Sequence, residues 1–165
     1  MPEGDSVFQT ARRLNAALAG HEFALADLRW PSLATADLVG DTTIEVVAFG
    51  KHILHRLGSG RTLHSHLKME GRWRVRPREG GTEWGDPAVR AVLATDAYVA
   101  VGTRLGMLDL VATRDEHTLV GHLGPDVLGQ GWDAERAVAN LAAQPDAVMG
   151  AALLDQGGSA FTSAV

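Results

Sequence analysis

The amino-acid sequence predicts an α+β fold, with an N-terminal helix packed on a two-sheet β-sandwich and the start of an incomplete helical domain after it. Three observations predict this arrangement. Residues 5–19 have helical periodicity, residues 23–120 contain short apolar runs separated by turn residues, and residues 133–144 return to a helical pattern. With 165 residues, 45% of them hydrophobic, the chain is long enough to bury one sizeable core.

The predicted first helix starts at a capping residue and ends at a glycine. Asp5 or Ser6 is expected as the N-cap, and Gly20 stands where a helix commonly stops. Between them, apolar residues recur three and four positions apart: Val7, Ala11, Leu14 and Leu18. One face of this helix is therefore predicted to pack on the sandwich.

The central region is predicted to form strands and hairpins. β-branched and small apolar residues dominate TTIEVVAF (42–49) and RAVLATDAYVAVGT (90–103). A GSG turn separates HILHRL from RTLHSHL and predicts one hairpin, and Asp96 predicts another. Many short strands joined by tight turns are typical of a sandwich or barrel.

The last third of the chain changes character twice. Residues 122–132 are rich in Gly and contain a Pro, and they are interpreted as a linker between a domain at 1–121 and a partial helical domain at 133–165. Asp133 is expected to cap the helix that follows, with Val138 and Leu141 facing inward.

The composition excludes several classes of protein. There is no Cys, so neither a disulfide framework nor a thiolate zinc site is possible. No apolar run is long enough to cross a bilayer, and the pattern of a secretory signal is missing, so we expect a cytoplasmic protein with no membrane partner. The net charge of −5 argues against a generally basic nucleic-acid binder but leaves a local basic patch open.

The first residues, Met-Pro-Glu-Gly, are chemically unusual. If Met1 is removed, Pro2 presents a secondary amine, and the positive end of the following helix lowers the pKa of such an amine below its ordinary ~7.7–8.0. A neutral amine can attack an aldehyde-like carbon and form an iminium, and Glu3 is a candidate proton donor or acceptor beside it. The alternative is an ordinary frayed terminus.

Several segments carry a resemblance to one family. Together with MPEG at the start, they are FGKHILHRL (49–57), LHSHLKMEGRWRV (63–75), HLGPDVL (122–128) and ALLDQ (152–156). In order and spacing the chain resembles the formamidopyrimidine-DNA glycosylase and endonuclease VIII family, and most closely its actinobacterial endonuclease VIII-like branch. The resemblance covers residues 1–156.

This resemblance implies a bifunctional base-excision repair enzyme, a DNA glycosylase with abasic-site lyase activity on oxidised bases. Pro2 would attack C1′ of the sugar and form a Schiff base, Glu3 would protonate the ring oxygen, and Lys51 would contact the phosphate beside the lesion and assist β/δ-elimination. No cofactor or metal is implied. The expected partner is damaged double-stranded or abasic-site DNA, bound by a monomer in the bacterial cytoplasm and associated with the nucleoid during repair.

The resemblance also implies a DNA-facing segment around Met69. Met69 would fill the void left by an extruded base, with Lys68 and His66 beside it as further DNA-binding residues. Taken alone, Met69 is more typical of a packed core and Lys51 of a solvated strand. His64 and His66 share a strand face, and because a third metal ligand is missing, structural or hydrogen-bonding roles are favoured for them.

A row of arginines follows Met69. Arg72, Arg74, Arg76 and Arg78 alternate with Trp73, Val75 and Pro77, so the arginines are predicted to share one sheet face. Such a row is able to follow a phosphate backbone, and Arg72, Arg74 and Arg76 are therefore predicted DNA-binding residues. A plain solvated face is the open alternative.

Two departures from the family bear on function. Ser6 stands where the family often has a second glutamate, and GGSAFTSAV follows ALLDQ where family members continue into a helix–two-turns–helix element. We therefore expect a C-terminally truncated version of the fold. A catalytically impaired DNA-binding or regulatory remnant is one alternative function, and another N-terminal-proline enzyme, such as a small-molecule tautomerase, is a second.

Overall fold

Within residues 4–79, 84–124 and 133–143, which the computed structural model describes, one long helix is followed by two antiparallel sheets of four strands each. The helices are α1 (Gly4–Leu18), α2 (His117–Val120) and α3 (Ala134–Ala142). The strands are β1 (Leu25–Leu28), β2 (Thr43–Phe49), β3 (His52–Leu57), β4 (Arg61–His66), β5 (Arg72–Pro77), β6 (Val89–Ala94), β7 (Tyr98–Thr103) and β8 (Met107–Ala112). Short 3-10 turns cover Pro31–Leu33 and Thr113–Asp115. None of the described helices is long and apolar enough to span a membrane.

The strand order confirms the predicted α+β sandwich. The first sheet has the order β2-β3-β4-β8, and the second sheet has the order β1-β6-β7-β5. Both predicted hairpins are present, since β3 pairs with β4 across the GSG turn and β6 pairs with β7 around Asp96. Gly60, with a φ of +76°, supplies the left-handed conformation that ends the GSG turn.

The main core lies between the two sheets and α1. The predicted apolar stripe of α1 is buried, with Val7, Leu14 and Leu18 each at most 1% exposed. It meets inward-facing residues of both sheets: Ile53, Leu63, Leu93, Ala100 and Leu108. Each fully buried side chain of this size contributes about 1.5–3 kcal/mol to folding.

The ends of α1 agree only in part with the prediction. Gly20 follows the helix with a φ of +80°, as expected for a helix stop. The helix already begins at Gly4, however, so Asp5 and Ser6 lie in its first turn and the predicted N-cap was wrong. Asp5 still favours this end, because a carboxylate in the first turn complements the positive end of the helix dipole.

The outer face of the first sheet is covered by the segment that contains α2. Arg56 joins the two through paired hydrogen bonds from Nε and Nη2 to the carboxylate of Glu116, both 2.9 Å, and a third to Glu45 at 2.6 Å. Beside this ion pair, Leu54 packs against Val120 and Leu123. The segment is thereby fixed to β3 by both polar and apolar contacts.

The start of α3 is as predicted, and its buried face agrees with the prediction at Leu141 but not at Val138. Asp133 caps the helix by accepting a hydrogen bond from the Arg136 amide at 2.9 Å. Val138, which was expected to face inward, is 64% exposed, and Ala137 is the buried position instead. The stripe runs through Ala137, Asn140 and Leu141, and Val138 lies about 100° around the helix from Ala137. Residues 125–132 and 144–165, and with them most of the predicted linker and helical domain, lie outside the described residues, so the predicted domain boundaries stay predictions.

Two histidines of β3 are buried, His55 on the inner face of the first sheet and His52 on its outer face. His55 is 3% exposed, shares a hydrogen bond of 2.8 Å with the Thr43 hydroxyl and lies against the Phe23 ring. Burial lowers the pKa of His55 to about 4. Burial, together with the neighbouring His64, His66 and His122, lowers the pKa of His52 to about 3.

These two histidines predict a loss of stability on mild acidification. An unfolded histidine takes up a proton near pH 6.5, whereas folded His52 and His55 stay neutral, so the unfolded state gains protons as the pH falls. The stability that depends on neutral His52 and His55 is therefore fully present above pH 6.5, and it declines as the pH falls toward 4. At pH 5, which is above the range where most carboxylates titrate, the loss of stability is on the order of 1–2 kcal/mol for each histidine.

Calorimetric melting temperatures at pH 7, 6 and 5 test this prediction. A His55→Gln variant should show a smaller fall between pH 7 and pH 5, because Gln stays neutral throughout. The exposed His21 provides the matched control, and His21→Gln should keep the full fall. Equal melting temperatures at pH 7 and pH 5 would contradict the assignment.

Candidate functional site

The direction of α1 places its N-terminus at one particular end of the sandwich. The Gly20 amide donates to the Thr43 carbonyl at 2.8 Å, and the Val46 amide donates to Asn15 Oδ1 at 2.8 Å, so α1 runs antiparallel to β2. From Asn15 back to Gly4 the helix extends about 16 Å, and from Val46 on to Gly50 the strand extends about 13 Å. The start of α1 therefore lies at the same end as the turn after β2.

That turn presents Lys51. Phe49 pairs with His52, so Gly50 and Lys51 form a two-residue hairpin loop. Gly50 has a φ of +56° and Lys51 does not have a positive φ, which is the pattern of a type II′ turn with Gly at its first central position. This turn places the half-buried Lys51 at the tip of the first sheet.

A second loop, Leu67–Gly71, lies beside the first because His66 pairs with His52. Leu67 is buried and anchors the loop, whereas Met69 is 66% exposed. The Gly71 amide donates to the Leu67 carbonyl at 2.9 Å, and a Cβ on Gly71 would lie only 2.3 Å from that oxygen. Only glycine fits there, and the tight turn leaves the Met69 thioether projecting from the protein.

The third loop, Arg104–Gly106, closes the group. The Gly106 amide donates to the His66 carbonyl at 2.9 Å, and the Arg104 guanidinium forms an exposed ion pair with Glu70 at 3.2 Å. Arg104 has a φ of +49°, an uncommon conformation for a side-chain-bearing residue. We call these three loops, Gly50–Lys51, Leu67–Gly71 and Arg104–Gly106, the loop end of the sandwich.

Within the loop end, the main chain fixes the tautomer of His66. The Lys68 amide donates to His66 Nδ1 at 2.9 Å, so Nδ1 carries no proton and the neutral ring has its proton on Nε2. Partial burial, followed by His64 and by the charges of Lys68 and Lys51, lowers the pKa of His66. His66 is thus held as a neutral hydrogen-bond donor among cationic side chains.

Behind His66 lies a chain of hydrogen bonds through two buried histidines. His64 Nδ1 lies 3.0 Å from Asp109 Oδ2, and His64 Nε2 lies 2.8 Å from His52 Nδ1. Because the carboxylate accepts, His64 is protonated on Nδ1, and His52 must then donate its own Nδ1 proton. The His52 ring packs edge-on against His66, with centroids 4.8 Å apart, so the chain supports His66 from within the sheet.

The predicted site residues fall into three groups: the loop-end residues, Pro2 with Glu3, and the arginine row. Lys51, His66, Lys68 and Met69 are brought together at the loop end. Pro2 and Glu3 lie outside the described residues, immediately before the start of α1. No cluster of three or more His, Cys, Asp or Glu in the described part of the chain is arranged to hold a metal ion.

The arginine row starts at the loop end and runs away from it. Arg72, Arg74 and Arg76 are exposed on the outer face of the second sheet, whereas Trp73 and Val75 pack on the core, as the alternation predicted. Arg76 lies four positions after Arg72 along the strand, a distance of about 13 Å. Most of the row therefore lies outside the loop end.

Sequence reasoning missed Arg104 and the Asp109–His64–His52 chain. The sequence TRLG around Arg104 resembles many ordinary turns, and its position beside Glu70 follows only from the sheet. His52, His64 and Asp109 lie on three different strands. They meet because β3 lies beside β4, and because His64 of β4 pairs with Asp109 of β8. Only the strand register carries that information.

NMR spectroscopy can measure the tautomers of His52, His64 and His66 directly. In long-range ¹H–¹⁵N spectra at pH 7, His52 and His64 should appear as the less common Nδ1–H tautomers, and His66 as the Nε2–H tautomer. Asp109→Leu removes the acceptor and should release His52 and His64 from the Nδ1–H form. Asp109→Asn is the matched control, since its carbonyl oxygen still accepts and should preserve the pattern. An Nε2–H signal from His64 in the unmodified protein would disprove the hydrogen-bond order.

Comparisons with known proteins agree with this architecture. A family model described as the formamidopyrimidine-DNA glycosylase N-terminal domain matches residues 1–110. The chain is 51% identical over 159 residues to a probable endonuclease 8 2 of Streptomyces coelicolor, which covers 94% of this chain and 57% of that protein. It is 46% identical over 156 residues to the DNA-(apurinic or apyrimidinic site) lyase Nei2 of Mycolicibacterium smegmatis, with coverage of 94% and 60%.

Solved structures show the same fold. The formamidopyrimidine-DNA glycosylase of Lactococcus lactis, non-covalently bound to DNA containing an AP site, superposes with a TM-score of 0.73 at 18% identity, covering 95% of this chain and 62% of that one. The chain spans 57–60% of the length of the two curated relatives named above. Because the family model matches 110 of its 165 residues, the chain belongs to the family of the formamidopyrimidine-DNA glycosylase N-terminal domain.

Proposed function

We propose that the chain acts in DNA base-excision repair as a glycosylase with abasic-site lyase activity on oxidised bases, using Pro2 as the nucleophile. The observation that carries the proposal is the antiparallel packing of α1 on β2, because it directs the start of the helix toward Lys51. Covalent geometry limits the Cα of Pro2 to about 8 Å from that of Gly4. The names of the relatives, an endonuclease 8 and an abasic-site lyase, support the same chemistry.

In the proposed reaction the Pro2 nitrogen bonds to C1′ of the damaged nucleotide as the bond to the base breaks. Glu3 gives a proton to the ring oxygen as the sugar opens, which leaves an iminium between Pro2 and C1′. The iminium acidifies the C2′ hydrogen, the Glu3 carboxylate left by the preceding step takes that proton, and the 3′ phosphate leaves as the C2′–C3′ double bond forms. Lys51 neutralises charge on the phosphate beside the lesion while this bond breaks.

The loop end supplies the proposed DNA contacts. Lys51 and Lys68 provide positive charge, and the Nε2–H of His66 is available to a phosphate oxygen. Met69, exposed and flexible, is suited to fill the gap that an extruded base leaves in the duplex. Arg104 lies in the neighbouring loop and extends the cationic surface.

The expected partner is therefore damaged double-stranded or abasic-site DNA, bound by a monomer in the cytoplasm. Arg72, at the start of β5, lies next to the loop end and joins this set. A phosphate-binding role for Arg74 and Arg76 stays a prediction. Ser6, exposed in the first turn of α1, is proposed to affect the choice of lesion rather than the chemistry.

Covalent trapping tests the role of Pro2. Incubated with abasic-site DNA and sodium borohydride, the protein with Met1 removed should form a one-to-one adduct visible by mass spectrometry, because borohydride reduces the iminium. Pro2→Gly keeps a primary amine and should retain part of the trapping, whereas one extra residue before Pro2 should abolish it. Salt-dependent DNA binding with no adduct would defeat the catalytic proposal and favour the non-catalytic remnant.

Replacing Lys51 tests the phosphate contact. A charged hydrogen bond contributes ~1.5–3 kcal/mol, so Lys51→Ala should slow single-turnover strand cleavage roughly 10- to 100-fold. Arg114, whose side chain is 87% exposed, follows β8 at the opposite end of the first sheet, and Arg114→Ala should leave the rate unchanged. Equal rates for Lys51→Ala and the unmodified protein would remove Lys51 from the mechanism.

A further inference from the structure

A second cationic surface lies along the outer edge of β5. A cleft of about 770 Å³ follows this edge, between α1 on one side and the outer face of the second sheet on the other. Arg13 and Leu14 line it from α1, Trp84 and Tyr98 line it from the sheet side, and β5 forms its floor. Of the residues proposed to contact DNA at the loop end, Arg72 also lines this cleft, and Lys51, His66, Lys68, Met69 and Arg104 do not.

The floor of the cleft is a strand edge with unpaired main-chain groups. Among the described strands, β5 is the last of the second sheet and pairs with β7 alone. The Arg78 amide donates to the Ala97 carbonyl at 2.8 Å, so by alternation Arg74 and Arg76 also direct their main-chain groups to β7. Trp73 and Val75 must then direct their N–H and C=O groups outward, into the cleft.

The side chains around that edge are strongly positive. Arg13, Arg72, Arg74 and Arg76 line the cleft, and Asp86 is the acidic residue among its described lining. Within the described residues, the side chains of Arg13, Arg72 and Arg74 have no hydrogen bond or ion pair. The Arg76 guanidinium lies 4.7 Å above the Trp84 ring, which holds it over the cleft without neutralising it.

We propose that this cleft binds an extended acidic peptide segment of a partner protein, which adds to β5 as a further antiparallel or parallel strand. The main chain of such a segment would pair with the outward N–H and C=O groups of Trp73 and Val75. Its alternate side chains, about 6.6–6.8 Å apart, would have the same spacing as Arg72, Arg74 and Arg76. Carboxylates at those alternate positions would each face a guanidinium.

A single nucleic-acid strand is the competing occupant, since its phosphates also suit a row of arginines. The edge of β5 favours the peptide, because this edge presents carbonyl oxygens as well as amide protons. A phosphodiester backbone has no N–H to donate to the carbonyls of Trp73 and Val75, whereas a peptide backbone has both groups at the required spacing. Pro77, which has no N–H, ends the usable edge.

Binding of model peptides tests the proposal. A fluorescein-labelled peptide of eight residues that alternates Glu and Thr should bind, and a peptide of the same composition with four Glu followed by four Thr should bind at least about tenfold more weakly. Arg74→Glu should weaken binding of the alternating peptide by about tenfold or more. Arg114→Glu makes the same charge change outside the cleft and should leave binding nearly unchanged.

A second pair of variants comes from one turn of α1. Arg13 lines the cleft and its exposed neighbour Arg12 does not, so Arg13→Glu should weaken peptide binding and Arg12→Glu should not. Amide hydrogen exchange adds a residue-level reading. The amides of Trp73 and Val75 should exchange rapidly in the free protein and slowly with saturating peptide.

Three results would overturn the proposal. One is equal affinity for the alternating and the block peptide, which would indicate general charge attraction. Another is peptide binding with no added protection of Trp73 and Val75. The third is tight binding of a single-stranded oligonucleotide that Arg74→Glu abolishes, with unchanged exchange at Trp73 and Val75, which would assign the cleft to nucleic acid.

Discussion

The packing of α1 along β2 is the constraint on which the rest of the site depends. Two hydrogen bonds fix its direction and register, from Val46 to Asn15 Oδ1 and from Gly20 to Thr43. The buried stripe of α1 adds about 1.5–3 kcal/mol for each large apolar side chain, so sliding the helix by one turn would expose several of them. The start of α1, at Gly4, is consequently held at the loop end by the core of the domain.

The loop end depends in turn on the register of the first sheet. His52 pairs with His66, and His66 pairs with Met107, so the three loops that follow or precede these residues emerge side by side. A shift of one residue would send His52, His64 and His66 to the inner face, where the apolar core has no partners for them. The polar chain and the apolar core therefore enforce the same register from opposite faces of one sheet.

The elements of the fold were predictable from the sequence because their signals are local. The stripe of α1, the GSG turn and the alternation in β5 each lie within a dozen residues, and each is present in the structure. The N-cap of α1 and the inward position of Val138 were wrong, since a one-residue change in the start or phase of a helix leaves the local pattern almost unaltered. Lys51, His66, Lys68 and Met69, which the family motifs single out, lie together at the loop end, and their roles stay predictions.

What the sequence could not show is long-range. Asp109 and His64 are 45 residues apart, and Arg104 and Glu70 are 34 residues apart. The outward main-chain groups of β5 likewise become visible only when the strand order is known. These long-range relations leave no periodic trace in the sequence, because side chains that meet across a sheet are related by register and not by spacing along the chain.

An acidic chain with a net charge of −5 can still present two cationic surfaces, because charge acts locally in salt solution. At physiological ionic strength, screening limits exposed charges to a range of about 8 Å. Among the described carboxylates there, Glu70 at the loop end pairs with Arg104 and Asp109 contacts His64. The charge of each surface is thus set by its own side chains and not by the total charge of the chain.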